Sequence, residues 1–413
     1  MEYPVLKTLY YKNPEAYNKE REERPKSLAA KSLSLTIHGT TAYYMNCQEL
    51  TGMISACYET AKELQELLYK LPSVARRFYK LNCLIDEVML SNDLEGVRST
   101  RKEIQAIIDA DRKARDTKAR LEGMVKKYLR LLDTGDHVDL SSCAGIRKLY
   151  DELVAGEISK DDLPDGEYFR KGQVSVVTAT DKEKHKGIAP PEKNIIQHME
   201  EAIALLNDAA IPPLVRIALF HYFLGYIHPF YDGNGRLSRF ISSCLIAKYL
   251  DEVTALRLSY AIKERKSQYY DAFDMVNDKK NAGDTTPFIL TFLEIILAAE
   301  NSLKDRITYG IEKYEHYKTT IIHLKKLLNE DEMVVLLVLM QNRLFSRSSL
   351  NIQMMAKAAD MSQGTARKRV LDLMNKLNQR AEEEVVTTKR EGHRIIYAVD
   401  LDALEEFCAH YGE

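Results

Sequence analysis

The chain has 413 residues, of which 45% are hydrophobic and 29% charged, and its formal net charge is −2. This length allows two or three domains, and the composition is ordinary for a soluble globular protein. The near-neutral charge excludes a global field that would draw the chain to nucleic acid or to a membrane, so any basic patch must be local.

The cysteines and the N-terminus favour a reducing compartment. Six cysteines, at positions 47, 57, 83, 143, 244 and 408, lack metal-ligand spacing, which predicts small buried hydrophobes. The start of the chain, MEYPVLKTLYYKNPEAY, lacks the basic and apolar regions of a secretory signal. The most apolar window, 288–299, is interrupted by Glu294 and is too short to span a bilayer. We therefore predict a cytoplasmic protein without a membrane span.

The N-terminal part predicts a polar arm followed by long helices. Residues 1 to about 35 are polar and tyrosine-bearing, which predicts a solvated arm that packs on the body. A helical apolar period then begins near residue 48 and stops at Pro72. A second period runs from Val74 towards Gly96, which is a plausible helix stop. Near its end, Ser91 and Glu95 lie four residues apart and share a helix face, which on spacing alone predicts a solvated pair.

The middle of the chain predicts a further helix pair, a loop and a hairpin. Charged, alanine-rich sequence at 100–132 indicates two helices, and 133–142 is typical of a loop. Residues 169–177 alternate and are β-branched, and a second extended segment follows from His185. We predict a β-hairpin at about 173–188, which by its pattern alone is a surface ribbon.

The densest chemistry lies between His228 and Arg239, in the sequence HPFYDGNGRLSR. Pro229 cannot continue the apolar helix that precedes it, so the chain must turn at His228. Gly233 and Gly235 then give the backbone freedom and room for a ligand before a helical period resumes. The stretch predicts a loop that leads into a helix N-terminus.

Such a helix N-terminus attracts anions. Free N–H groups and the positive end of the helix dipole favour phosphate, and Arg236 and Arg239 can project from the first turn towards the same anion. Asp232 is suited to Mg²⁺, which binds one or two carboxylates plus substrate phosphates. His228 is suited to be a general base for an incoming hydroxyl. Together these residues predict transfer at a nucleotide phosphate.

This stretch resembles the signature of Fic proteins, HPFx(D/E)GNGRxxR, at every specified position. The resemblance implies that His228 deprotonates a target Ser, Thr or Tyr hydroxyl, which attacks the α-phosphate of ATP, and that Asp232 binds Mg²⁺. The product would be a protein carrying AMP, with pyrophosphate released. The implied ATP contacts are an anion cradle of Gly233, Asn234 and Gly235, with Arg236 at the β-phosphate and Arg239 at the γ-phosphate.

The same resemblance gives roles to three other segments. Ser91, Glu95 and Gly96 are similar to the Fic inhibitory motif, (S/T)xxxE(G/N), in the N-terminal, class II arrangement. There the glutamate takes the second signature arginine, here Arg239, away from the γ-phosphate, so basal activity is expected to be low until Glu95 moves. The hairpin at 173–188 resembles the flap that receives the target segment by strand addition.

Tyr269 and Tyr270 form a pair that on pattern alone indicates packing. In Fic relatives a tyrosine pair at this place lies near the adenine and ribose, and the sequence does not decide which tyrosine stacks on the base. One departure is Gly225, where many relatives have a glutamate three residues before the catalytic histidine. We expect this glycine to loosen the helix end that presents His228.

The C-terminal part predicts a charged linker helix at 301–330 and then a helix–turn–helix with two β-branched strands, a winged-helix pattern. Arg367, Lys368 and Arg369 open the second helix, so DNA binding through residues 356–398 is one alternative. Three glutamates at 382–384 would repel phosphate, and many winged helices bind proteins or only pack, which is the other alternative.

The sequence thus predicts a mainly α protein: a Fic-fold helical bundle with a small β-hairpin flap, plus a C-terminal winged-helix domain. Its predicted domains are 1–135, 136–300, 301–330 and 331–413. We expect an autoinhibited protein adenylyltransferase that uses ATP and Mg²⁺ on an unknown target protein and on itself, with a homodimer left open. The alternatives are an enzyme that mainly removes AMP, and a DNA-binding regulator whose core only senses nucleotide.

Overall fold

The computed structural model describes residues 3–109, 121–134, 138–154, 156–177, 183–391 and 394–411. Within these residues the protein is mainly α-helical with small β-hairpins, as predicted. Backbone contacts group the chain into two units, one of residues 1–62 and 84–301 and the other of residues 63–83 and 302–413. The predicted domain boundaries stay a prediction.

The first unit is built from helices, several of which the apolar periods predicted. The predicted helix pair at 100–132 is confirmed in part, because residues 110–120 lie outside the described residues. The helices that contribute to this unit are α1 Leu6–Lys12, α2 Pro14–Glu23, α3 Gln48–Lys70, α4 Ser73–Leu94, α5 Arg101–Asp109, α6 Glu122–Thr134, α7 Cys143–Leu153, α8 Glu192–Asn207, α9 Pro213–Ile227, α10 Asn234–Tyr249, α11 Glu252–Ala255, α12 Leu258–Glu264, α13 Lys266–Val276 and α14 Thr286–Thr320.

The predicted arm at the N-terminus is mostly exposed, with Leu6 and Tyr17 buried, and it is folded into regular elements. Residues 6–23 form α1 and α2, and the next strands, β1 (Ala30–Ile37) and β2 (Thr40–Met45), pair as an antiparallel hairpin. Its turn is His38 and Gly39, both with positive φ, as tight hairpin turns require. The alternation of β1, with Leu33, Leu35 and Ile37 buried, was a usable strand signal that the polar composition concealed.

The predicted hairpin is present, with short strands. Strands β3 (Ser175–Val177) and β4 (Glu183–Lys186) pair antiparallel, inside the predicted range 173–188. Residues 178–182, which the same prediction covers, lie outside the described residues. A backbone bond from Gly187 N to Val174 O (3.2 Å) joins the two arms of the hairpin, and a bond from Ile188 N to Ile227 O (3.1 Å) attaches the hairpin to the end of α9.

Helix α9 is the buried centre of the first unit. Its apolar side chains surround the whole helix, and it packs against α8 and α10. It ends at Ile227 as predicted, because Pro229 follows and His228 takes a left-handed conformation. The helix continues through Gly225, where an added Cβ would meet Phe273 Cε1 at 2.9 Å. Tight packing against Phe273 therefore explains this glycine.

The apolar segment after residue 286 and the predicted linker helix form one helix, α14, followed by a 3₁₀ segment, Ile321–Lys326. No glycine or proline interrupts residues 288–309, so the helix continues from the apolar segment into the predicted linker helix. By length and composition alone, 286–326 would also span a membrane, but its most apolar window is 61% buried, which is typical of a core helix.

The rest of the second unit combines helices with a three-stranded antiparallel sheet in the order β5-β7-β6. Helix α15 packs against α17, and Arg369 of α17 pairs with Asp331 at 2.9 Å. This order of elements is compatible with the winged-helix assignment, which itself stays a prediction. The elements are α15 Glu330–Phe345, β5 Leu350–Asn351, α16 Ile352–Ala358, α17 Gln363–Asn378, β6 Val386–Glu391, β7 Arg394–Val399 and α18 Leu401–Tyr411.

Candidate active site

The loop between α9 and α10 is held by Asn234 and by Tyr150 of α7. His228 has φ +52°, a left-handed conformation that costs about 1–3 kcal/mol outside glycine. The Asn234 side chain accepts from Phe230 N at 3.0 Å and donates to Phe230 O at 2.8 Å. The Phe230 ring stacks on Tyr150 with centroids 3.8 Å apart. Asn234, predicted in the anion cradle, thus uses its amide to fix the loop.

The N-terminus of α10 presents its N–H groups without a side-chain cap. Gly233 precedes the helix at φ +82°, and an added Cβ would lie 3.0 Å from Val154 and 3.2 Å from Tyr150. Because glycine has no side chain, the first N–H groups of α10 meet no capping group from the residue before them. These groups and the helix dipole make this end of α10 suited to an anion, as the sequence predicts.

Arg239 is buried and bonds the end of α4 through all three of its guanidinium nitrogens. Its Nε donates to Ser91 Oγ at 3.0 Å, its Nη2 to Ser91 O at 2.7 Å and its Nη1 to Glu95 Oε1 at 2.9 Å. Only 2% of the Arg239 side chain is exposed, against 24% for Glu95. Gly96 follows at φ +73°, the left-handed stop after α4. The structure therefore joins Ser91 and Glu95 to Arg239 across the unit.

Gly235 is the residue that lets Glu95 approach. An added Cβ there would lie 2.1 Å from Glu95 Oε1 and 2.9 Å from Arg239 Nη1. Any side chain at this position would occupy the space of the carboxylate. Gly235, predicted to cradle an anion, therefore already accommodates a carboxylate in this structure.

Arg236 has a carboxylate partner that the sequence did not indicate. Its Nη1 lies 3.4 Å from Glu157 Oε2 and its Nη2 lies 3.4 Å from Asp232 Oδ2, and 1% of the side chain is exposed. Glu157 lies in irregular structure after α7, where no periodicity or motif singles it out. Both arginines of the stretch are thus buried beside carboxylates, as buried guanidinium groups require.

The His228 ring is half-buried and poised as a neutral base. Burial lowers its pKa to about 4, although the nearby charge of Glu95 acts in the opposite direction. Nδ1 lies 3.4 Å from Gly225 O, and because a carbonyl only accepts, Nδ1 must carry the proton there. The lone pair then resides on Nε2, which is available to accept a proton at neutral pH.

Asp232 meets the needs of a Mg²⁺ ligand. Its side chain is 47% exposed, Oδ1 accepts from Gly233 N at 2.5 Å, and Oδ2 faces Arg236. No group of three or more metal-ligating side chains occurs among the described residues. A single accessible carboxylate at an anion site fits Mg²⁺, which completes its coordination with phosphate oxygens and water.

The two tyrosines of α13 occupy different environments. Tyr269 is buried, and its hydroxyl donates to His221 Nε2 at 2.7 Å. Tyr270 is half-buried. Both tyrosines lie close enough to Arg239 and Glu95 for these charges to affect their pKa values. Ser242 Oγ donates to Ser238 O, so the bond of 2.8 Å between His221 Nδ1 and Ser242 Oγ needs the imidazole proton. Burial lowers the pKa of His221 to about 3, which keeps this unpredicted histidine neutral. Of the two tyrosines, Tyr270 is therefore the better placed to meet a ligand.

The fold and the site together define a mainly helical protein with an uncapped helix N-terminus suited to an anion, two buried arginines and a neutral imidazole. A sequence model described as the Fic/DOC family matches residues 141–246. Residues 141–246 are therefore similar to the Fic/DOC family, as the signature at 228–239 predicted.

Curated relatives are similar to part of this chain. The protein adenylyltransferase Fic of Aedes aegypti is 27% identical over 217 residues, which cover 50% of this chain and 38% of that protein. The protein of the same name from Drosophila virilis is 31% identical over 137 residues, or 31% of this chain and 24% of that protein. The chain therefore spans well under half the length of these relatives.

Solved structures include similar chains. A Fic family protein from Desulfovibrio desulfuricans G20 is 17% identical, with a TM-score of 0.49 over 86% of this chain and 97% of that chain. Fic-1 from C. elegans is 20% identical, with a TM-score of 0.42 over 61% of this chain and 70% of that chain.

Proposed function

We propose that this protein transfers AMP from ATP to a Ser, Thr or Tyr hydroxyl of a protein, its own chain included. The observation that carries the proposal is the neutral His228 imidazole, with Nε2 free to accept a proton, at the loop that leads into the N-terminus of α10. The names of the curated relatives support the same chemistry.

In the proposed reaction, the target hydroxyl oxygen forms a bond to the α-phosphorus of ATP. The bond from that phosphorus to the oxygen bridging to the β-phosphate breaks, and pyrophosphate leaves. The proton of the hydroxyl passes to His228 Nε2. The N–H groups of α10 and the guanidinium of Arg236 hold the phosphates, and Mg²⁺ at Asp232 would neutralise part of their charge.

We further propose that Glu95 holds the enzyme inactive. A guanidinium paired with a carboxylate cannot use the same donors for a phosphate. Each of the three guanidinium nitrogens of Arg239 donates a hydrogen bond to Ser91 or Glu95. The target protein is proposed to add a strand to the hairpin β3–β4, where backbone pairing would present its hydroxyl to His228.

Two other functions are alternatives to AMP transfer. An enzyme that mainly removes AMP would use the same site, with Glu95 retained for the reverse task. A DNA-binding regulator would use 356–398, where Arg367 and Lys368 are exposed but Arg369 is bound to Asp331. Neither has an observation in its favour beyond those that support transfer.

Mass spectrometry of the purified protein tests the proposal. After incubation with ATP and Mg²⁺, the Glu95→Gly variant is expected to carry AMP on hydroxyl side chains and to release pyrophosphate, and Glu95→Gly/His228→Ala to do neither. Equal modification of both variants would remove His228 from the reaction. Modification from other nucleotide donors but not from ATP would keep the site and change the transferred group.

A further inference from the structure

Arg170 is completely buried, and its guanidinium donates hydrogen bonds to backbone carbonyls. Nε donates to His228 O at 2.8 Å, Nη1 donates to Gly172 O at 2.5 Å, and Nη2 donates to Ile188 O at 2.9 Å and to Ile227 O at 3.4 Å. One side chain therefore bonds four carbonyls that lie on three separate stretches of the chain.

These four carbonyls belong to two functional parts. Gly172 and Ile188 lie just outside β3 and β4, and we call these two positions the flap base. Ile227 and His228 are the last residue of α9 and the left-handed residue after it. Arg170 thus bonds both sides of the flap base to the backbone that presents the imidazole. The bonds from Arg170 N to Pro229 O (3.1 Å) and from Ile188 N to Ile227 O reinforce the same connection.

The flap base is anchored by further groups around Arg170. Tyr231 accepts from Gly172 N at 2.7 Å and donates to Asp165 at 3.0 Å, and Asp165 also accepts from Lys171 N at 2.8 Å. The Glu192 carboxylate accepts three successive backbone N–H groups at 167–169. The segment that carries Arg170 is therefore fixed independently of the hairpin, which allows Arg170 to act as a rigid support.

Arginine suits this place for physical reasons. Its planar guanidinium offers five donors in fixed directions, whereas a lysine offers three from one atom. The α9 carbonyls that it meets are at the negative end of the helix dipole, which favours a cation there. Gly187 also leaves the required space, because an added Cβ would lie 2.6 Å from Arg170 Nη2 and 3.1 Å from His228 Cβ.

We propose that Arg170 is a positioning residue that fixes the flap base and the His228 backbone in one geometry, so that a target strand paired with the flap presents its hydroxyl to the imidazole. The proposal rests on the proposed transfer reaction. Arg170 acts through the His228 carbonyl and through the flap, and does not itself touch ATP or the hydroxyl.

The initial rate of self-modification, measured with Mg²⁺ over a range of ATP concentrations in the Glu95→Gly background, tests this, and its maximal value and half-saturating ATP concentration give the apparent kcat and KM. Arg170→Met is expected to lower kcat about 100-fold, the scale of a misplacement of about 1 Å, and to leave the KM for ATP within about threefold. Arg170→Lys should recover part of the lost kcat. Arg216→Lys is the matched control, because Arg216 also donates to a backbone carbonyl, Leu206 O at 3.2 Å, but far along the chain from the flap. A kcat of folded Arg170→Met within about threefold of the background would overturn the proposal.

An NMR titration of His228 separates the effect of the Arg170 charge from the effect of the Arg170 hydrogen bonds. Arg170 and His185 lower the pKa of His228, Glu95 raises it, and burial is the main cause of its low value. Arg170→Met is therefore expected to raise the pKa of His228, whereas Arg170→Lys, which keeps the charge, should leave it low while kcat falls. Equal pKa values in all three proteins, together with unchanged amide exchange at Ile188, would contradict the proposed connection.

A further variant tests the proposal if the Arg170 variants do not fold. Gly187→Ala keeps the arginine and displaces it, and is expected to lower kcat at least about tenfold with nucleotide binding retained. An unchanged kcat in folded Gly187→Ala would overturn the proposal. If the Glu95→Gly background transfers nothing from any nucleotide, the proposed function fails, and the NMR and Ile188 exchange results alone decide the role of Arg170.

Discussion

Glu95 and Arg239, 144 positions apart in the chain, form a hydrogen-bonded ion pair of 2.9 Å at the entrance to the first turn of α10. The pair joins the end of α4 to the helix whose N-terminus attracts anions. Gly235 leaves just enough room for the Glu95 carboxylate, so the ion pair depends on a glycine at this position. The geometry makes any ligand that needs Arg239 compete with Glu95.

The first prediction concerns nucleotide affinity. Glu95→Gly is expected to raise the affinity for ATP about 10- to 100-fold, the scale of one hydrogen bond to a charged group, and to change ADP binding little. Isothermal titration calorimetry measures this. Asp93→Asn is the control, because Asp93 forms only a surface ion pair with Lys263 at 2.5 Å. Equal gains for ATP and ADP would show that Arg239 does not contact the γ-phosphate.

The second prediction concerns the partner of the other arginine. Glu157→Gln removes one of the two carboxylates beside Arg236 and is expected to raise the affinity for ADP about tenfold, with AMP unchanged. The physical reason is that a β-phosphate no longer competes with a fixed negative charge. Glu152→Gln, which breaks the partly exposed pair with Lys127, is the control. A loss of ADP affinity would mean that Glu157 instead orients Arg236 for the phosphate.

The third prediction concerns the pH dependence of transfer. The base is active when neutral, and burial places the pKa of His228 at about 4, below the ordinary value of 6.5. Glu95 raises this pKa and is absent from Glu95→Gly, so the kcat/KM of that variant, which reports the free enzyme, is expected to stay level from about pH 8 down to at least about pH 5. An acidic limb centred near the ordinary histidine value would show that the imidazole is solvated in solution.

The fourth prediction concerns a buried carboxylate of α4. Glu87 accepts from Ser259 N at 2.8 Å and from Ser259 Oγ at 2.6 Å, and burial raises its pKa to about 7. Because the folded-state pKa lies above the ordinary 4.5, the stabilisation from the neutral form is complete below about pH 4.5 and is lost as the pH rises through about 7.

Thermal unfolding of the wild type and of Glu87→Gln, measured across that range, tests this. The Tm of the wild type relative to the variant is expected to fall as the pH rises, by the equivalent of roughly 1–3 kcal/mol. His228 and His221, whose pKa values are lowered, act in the opposite direction in both proteins, so their effect cancels in the difference. A constant Tm difference would indicate that Glu87 stays ionised.

Much of the site was predictable because residues close together in the sequence determine its local structure. Pro229 ends α9, Gly233 starts α10, and the spacing of Ser91 and Glu95 places both at the end of one helix. These features depend on backbone angles and helix faces, which neighbouring residues determine. The family resemblance then paired Glu95 with Arg239.

The missed residues act over long distances or through the main chain. Arg170 binds carbonyls, which every residue type carries, so no pattern in the sequence identifies its acceptors. Glu157 lies in irregular structure, and His221 is a single histidine on a mostly apolar helix. The hairpin β1–β2 was missed because its turn, His38–Gly39, follows a charge-dense stretch that suggested an arm.

The most direct measurement is transfer of label from α-³²P-ATP to protein in the presence of Mg²⁺, compared for the wild type, Glu95→Gly and His228→Ala. Strong labelling of Glu95→Gly, weak labelling of the wild type and none of His228→Ala is the expected result. It would establish both the transferred group and the inhibitory role of Glu95. Absence of label from Glu95→Gly with every nucleotide donor would contradict the account and favour a protein that only senses nucleotide.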